Sequence, residues 1–133
     1  MKELQAIQQE NKLNDVFAVD EPGPGGAHHH YAVFKHGDVT PEELPKRLEK
    51  DDLFYNGEIH FQKGPRNDPA STSGVLDVDL LEIVRDRLKC FQNGPFRCHE
   101  NAIALTHVSA ALHNLNARTQ DRAKRGVLGT DNL

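Results

Sequence analysis

At 133 residues, with 37% hydrophobic residues and no tryptophan, the chain is one ordinary domain with a modest core. Mean hydropathy is −0.65 and no apolar run reaches the length of a membrane span, which argues against a membrane protein. The formal net charge of −4 argues against a general binder of polymeric nucleic acid, which would be basic overall.

That charge is uneven. Residues 1–77 carry 8 basic and 14 acidic groups, net −6, whereas residues 78–133 carry 8 and 6, net +2. A local basic site on an acidic body suits a small anion. The polar start, Met1 to Lys12, has no signal-peptide pattern, so a cytosolic protein is expected. Cys90 and Cys98 are then expected as two reduced, half-buried thiols rather than a disulfide.

In chain order, Met1–Asn14 predicts a short helix with Leu4, Ile7 and Leu13 as its apolar points. Asp15–Asp20 reads as a short strand. Glu21–Ala27 (EPGPGGA) is a loop that cannot be regular, and its glycines let backbone amides approach a ligand. His30–Phe34 is a second strand. Thr40-Pro41-Glu42-Glu43 starts a helix with a threonine cap, a proline and acids in the first turn, running to about Lys50. Asp51 and Asp52 extend its solvated end. Tyr55-Asn56-Gly57 predicts a turn into a third strand, Glu58–Gln62.

Gly64–Gly74 (GPRNDPASTSG) is a second loop. A helix capped by Asp77 or Asp79 follows, with Val78, Leu81, Val84, Leu88 and Phe91 as its apolar stripe. Asn93-Gly94-Pro95 stops it. A long helix then runs from near Cys98 to Gly126, carrying Ala102, Leu105, Val108, Leu112 and Leu115 at steps of three and four. At 1.5 Å per residue it is roughly 40 Å long, and its uncovered end calls for a second subunit.

The expected architecture is α+β: a small antiparallel sheet with a short helix, followed by a long antiparallel α-helical hairpin. All of it is expected to form a single domain over 1–133, with a sheet-containing region over 1–76 and the hairpin over 77–130.

Arg118, Arg122 and Arg125 share roughly one face of the last helical turns, ahead of a Gly-Val-Leu-Gly-Thr segment. Guanidinium groups fork onto phosphate oxygens, and Gly129 and Thr130 can add backbone and hydroxyl donors. The plainer alternative is a solvated helix end, where cations favour the negative pole of the dipole. Of Arg85 and Arg87, at least one is solvated or paired with Glu82 or Asp86. Phe91 either caps the core or stacks on a base. Asn101 either reads a base edge or caps its own helix.

No catalytic centre is expected. There is no Gly-x-Ser-x-Gly elbow, no activated cysteine and no Lys-Ser/Thr after Gly-Pro-Gly-Gly. No metal and no cofactor are expected either. His28 and His30 share a strand face and His29 does not, and no Cys/His spacing completes a zinc site.

The run from Val78 to Thr130 resembles the hairpin domain shared by phage Thoeris anti-defence proteins and anti-CBASS cyclic-nucleotide sponges. The pieces that carry the resemblance are LLEIVRDRL, FQNGPFRCHENAIALTH, LNARTQDRAKRG and GVLGT, with DEPGPGGAHHHY and IHFQKGP upstream. The resemblance implies a non-enzymatic phage or prophage protein, working in the bacterial cytoplasm, that sequesters glycocyclic ADP-ribose and also cyclic di- or trinucleotides without degrading them. It implies a homodimer, and a hexamer built as a trimer of dimers.

Carried over by position, Phe91 would stack on, and Asn101 hydrogen-bond to, the ADP-ribose-type ligand, with Gly25, Gly26 and His29 closing over it. Arg118, Arg122, Gly129 and Thr130 would line a second pocket for a cyclic trinucleotide. Leu128 and Asp131 depart from the acidic residue and histidine expected there, and Asp131 puts negative charge beside a phosphate site. The rival readings are an enzyme that cleaves such a signal and a nucleic-acid-binding module using the basic last helix.

Overall fold

The computed structural model describes residues 1–48, 55–130 and 132, Tyr55 and Asn56 by their backbone. The chain forms two compact units, Met1–Lys63 and Gly64–Leu133. The architecture is the expected α+β one, an antiparallel sheet with a short helix followed by a helical hairpin.

In the first unit, β1 (Lys2–Glu3), β2 (Asn14–Ala18), β3 (His30–Lys35) and β4 (Tyr55–His60) form one antiparallel sheet in that order. Helix α1 (Leu44–Leu48) lies between β3 and β4 in sequence. Alternation sets the core. Phe17 pairs with Ala32 across β2 and β3, and Phe34 lies two residues further along the same face. Phe17 and Phe34 meet edge to face at 6.0 Å. Val39 and Leu44 close the cluster, so α1 packs through Leu44.

Asp15 is buried opposite Phe34 and is satisfied there. It accepts from the Gly37 amide at 2.9 Å and lies 2.8 Å from His36 Nδ1 and 3.2 Å from Lys12 Nζ. These bonds pin the turn that leaves β3.

The first fourteen residues do not form the expected helix. Instead Lys2 pairs with Ala18 and Glu3 with Phe17, and the Leu4 amide donates to the Val16 carbonyl at 2.8 Å. The free edge of β2 offers ladder partners. A helix there would have nothing to bury its apolar points against, and Ile7 and Leu13 are exposed. Tyr55, Asn56 and Gly57 belong to β4 rather than to a turn before it, with an irregularity opposite Val33 and Phe34. The expected end of the short helix near Lys50 and the pair Asp51 and Asp52 lie outside the described residues, as does Asp131.

In the second unit, α2 (Asp77–Gln92) and α3 (His99–Lys124) pack as a hairpin. The entry to α2 is set by Asp79, whose carboxylate accepts from the Leu76 amide at 2.8 Å. The turn is closed by Asn93 and Gly94 amides donating to the Lys89 and Phe91 carbonyls. Cys98 caps α3, its Sγ accepting from the Asn101 amide at 3.4 Å. Both cysteines are free, and both are exposed rather than half-buried.

The stripes of α2 and α3 are only half-buried. Leu81, Leu88, Leu105, Val108, Leu112 and Leu115 are intermediate, while Ile83, Val84 and Ile103 are exposed. Among the described residues, every fully buried hydrophobic side chain lies in the first unit.

Candidate functional site

The hairpin turn gathers one set of the predicted residues. Phe91 is in the last turn of α2 and Asn101 in the first turn of α3. The Phe91 ring is half-buried, meets Phe96 edge to face at 6.4 Å and has the Arg87 guanidinium 5.3 Å from its centroid. Arg87 sits four residues before Phe91, the helical spacing that brings the two together. The sequence reading of Arg85 and Arg87, at least one solvated or paired with Glu82 or Asp86, does not include this ring contact, although the spacing gives it.

Since Cys98 caps α3, the side-chain amide of Asn101 is not used for that purpose. It makes no hydrogen bond among the described residues. An aromatic ring and a guanidinium near the end of α2, with an unspent amide in the first turn of α3, can supply a nucleotide with stacking, charge neutralisation and edge recognition.

The three arginines expected on roughly one face differ in their surroundings. Arg118 is exposed and its side chain makes no hydrogen bond or ion pair among the described residues. Arg122 is buried and folds onto the tail, its Nη2 donating to the carbonyls of Val127 at 2.9 Å and Thr130 at 3.0 Å. Arg125 pairs with Asp121 at 3.0 Å. The Thr130 hydroxyl donates to the Val127 carbonyl at 2.6 Å and accepts from the Asn132 amide at 3.2 Å. Gly129 turns this tail at a φ of 77°, left-handed backbone that glycine adopts without strain. Asn101 and Arg118 are roughly 25 Å apart along α3 at 1.5 Å per residue, so one chain keeps the two predicted pockets apart.

In the first unit, Gly25 and Gly26 are exposed in a tight turn with φ of 74° and 78°. Asp20 holds the strand after it. Its carboxylate accepts from the His29 amide at 3.0 and 3.1 Å and from the His30 amide at 3.1 Å. Burial raises the Asp20 pKa, but these amides and the nearby His28 more than offset it and hold the carboxyl below its ordinary value. The His29 ring lies against the Gly23 backbone, and its Nδ1 is buried with no hydrogen-bond partner among the described residues.

A groove of about 570 Å³ also runs between α2 and α3, lined by Val78, Arg85, Ser109, Leu112, His113 and Asn116 among others. None of the predicted site residues lines it. Arg85 there reaches Ser109 at 3.4 Å and Glu82 at 3.8 Å.

Residues 56–120 match the family model described as Acb2/Tad1, hairpin domain. That stretch, just under half of the chain, is similar to the hairpin domain that this family shares. A relative called Thoeris anti-defense 1, from Bacillus phage SBSphiJ7, is 46% identical over 72 residues, which is 54% of this chain. The match spans about half of that relative, 50% of its length. The matched hairpin domain contains Phe91, Asn101 and Arg118. Arg122, Gly129 and Thr130 lie beyond its end, and Gly25, Gly26 and His29 lie before its start.

Proposed function

We propose that this chain is a phage anti-defence protein that binds and holds cyclic nucleotide signals of bacterial immunity without degrading them, inside the infected cell. The observation that carries the reading is the hairpin-domain match, together with similarity to a phage protein named for countering Thoeris defence. The primary ligand is glycocyclic ADP-ribose. Phe91 stacks on it and Asn101 hydrogen-bonds to it. Arg87 beside Phe91 supplies a cation for the pyrophosphate. A second pocket, built on Arg118 with Arg122, Gly129 and Thr130, takes cyclic di- or trinucleotides.

Sequestration works by lowering free ligand below the threshold of an effector, so it demands tight binding. Several charge-assisted bonds and one stack can supply about −10 to −12 kcal/mol, the nanomolar range. The half-buried apolar stripes of the hairpin support assembly as a homodimer, and as a hexamer made of three dimers. Light scattering distinguishes these states.

The test is a release assay. Purified protein is mixed with glycocyclic ADP-ribose, the protein is retained on a filter, and the filtrate is chromatographed. The retained protein is then heated and what leaves it is chromatographed. Ligand missing from the filtrate and returned intact is the expected result. Ligand returned as fragments means an enzyme, and ligand left in the filtrate rules out this signal.

A further inference from the structure

The sheet assembles a constellation that spacing along the chain does not reveal. His30 on β3 pairs with His60 on β4, and Ala32 pairs with Glu58, so His30, Glu58 and His60 project from one face. The Phe61 amide donates to the His29 carbonyl at 2.8 Å, which makes 29 and 61 the hydrogen-bonded pair. His30 and His60 therefore occupy the adjoining narrow pair, where opposing side chains come closest. Their rings lie 4.0 Å apart, 22° from parallel. Glu58 reaches both, with Oε1 3.6 Å from His30 Nε2 and Oε2 3.4 Å from His60 Nε2.

We propose that His30, Glu58 and His60 form a binding site for a divalent transition-metal ion of the zinc class across strands β3 and β4. One potential ligand atom from each residue lies within 4.8 Å of the others. Bonds of about 2.0–2.1 Å in a tetrahedron put ligand atoms about 3.3 Å apart, close to the two carboxylate–imidazole separations. Two imidazoles and a carboxylate are the donor set that suits zinc, cobalt or nickel, with a position left for water.

His30 Nε2 is buried and has no hydrogen-bond partner among the described residues, the state of a nitrogen lacking its acceptor or its metal. The surrounding half of the chain is acidic, with net charge −6 over residues 1–77, which favours a cation. Imidazole rotation about χ2 is a soft torsion, so the ring nitrogens can reorient at small cost.

The site stands apart from the nucleotide reading, and its test uses no nucleotide. Untagged protein is stripped with a chelator and titrated with Co²⁺ while the visible d–d absorption of the ion is recorded. One equivalent is expected to bind with the intensity of a four-coordinate centre, and Zn²⁺ is expected to displace it. Glu58→Gln and His60→Ala are expected to weaken binding by more than about tenfold. His60 is 55% exposed, so its replacement leaves the fold intact, checked by circular dichroism. His28→Ala is expected to bind as the parent does. No absorption band in the parent protein, or a band lost in His28→Ala but kept in His60→Ala, overturns the proposal; the latter would assign the ion to the consecutive histidines instead.

Discussion

Arg122 holds the tail of the chain against its own helix, with Nη2 3.0 Å from the Thr130 carbonyl and 2.9 Å from that of Val127. Four residues earlier, on roughly the same face, Arg118 is exposed with no such bond among the described residues. The difference has a cause. The chain turns back at Gly126, at a φ of 73°, and brings residues 127–130 over Arg122. Arg122→Ala leaves two carbonyls without a charged donor and is expected to cost about 1.5–3 kcal/mol. Arg118→Ala is expected to stay within about 0.5 kcal/mol of the parent. Urea unfolding, with hydrogen exchange of the 127–130 amides, measures both. Equal stability of the two variants would show that the clasp contributes nothing.

The same contrast shapes the ligand experiment. Phe91→Ala with Asn101→Ala is expected to remove most glycocyclic ADP-ribose affinity, with the lost stack alone worth about 1–3 kcal/mol, while cyclic trinucleotide binding survives. Arg118→Ala with Arg122→Ala is expected to do the reverse. Because Arg122→Ala also loosens the tail, Arg118→Ala alone is the cleaner probe of a phosphate contact. Calorimetry with both ligands decides. If each double variant loses both ligands equally, the assignment of two pockets is wrong.

Much of this arrangement can be read from spacing, and what cannot is tertiary. The stripes of α2 and α3, the Asn93-Gly94 stop and the Pro-Gly loops follow local rules. The segment Met1–Asn14 has helix-forming residues, yet Lys2 and Glu3 pair with β2 because an open sheet edge outweighs weak propensity. The spacing of Arg118, Arg122 and Arg125 places them on one face but says nothing of the tail that buries the middle one. Asn101 has two sequence-level roles, and only the Cys98 cap separates them. Spacing does not pair His60 with His30, because thirty residues separate them along the chain and only strand register joins them.

Asp15 gives the first unit a dependence on acid. Burial pushes its pKa up. The Gly37 amide, His36 and Lys12 together outweigh that and hold the carboxyl at about 2, against an ordinary 3.8. A carboxylate with a depressed folded-state pKa contributes stability that is fully present above its unfolded value, and loses it as pH falls through the folded one. The contribution is about 2 kcal/mol. Urea midpoints from pH 6 down to pH 2 are expected to fall most steeply below about pH 4. Asp15→Asn is expected to lower stability at neutral pH and to flatten that limb. A variant whose acid limb matches the parent's would place the dependence on other carboxylates.

Gly64 opens the second unit under two constraints that can be separated. Its φ is 87°, and a Cβ built there would fall inside contact distance of Ser71 Oγ and 3.1 Å from Ser71 Cβ. The Ser71 amide donates to the Asp68 carbonyl at 3.0 Å, and Asp68 Oδ1 accepts from the Ala70 amide at 2.9 Å, so the loop cannot move aside freely. Left-handed backbone costs a residue with a Cβ about 1–2 kcal/mol, and the overlap adds to it. Gly64→Ala is therefore expected to destabilise by about 2–3 kcal/mol. Adding Ser71→Gly removes the overlap and leaves the backbone term, so the double variant should recover part of the loss and no more. Full recovery would assign the whole effect to the serine, and no recovery would assign it to the backbone alone.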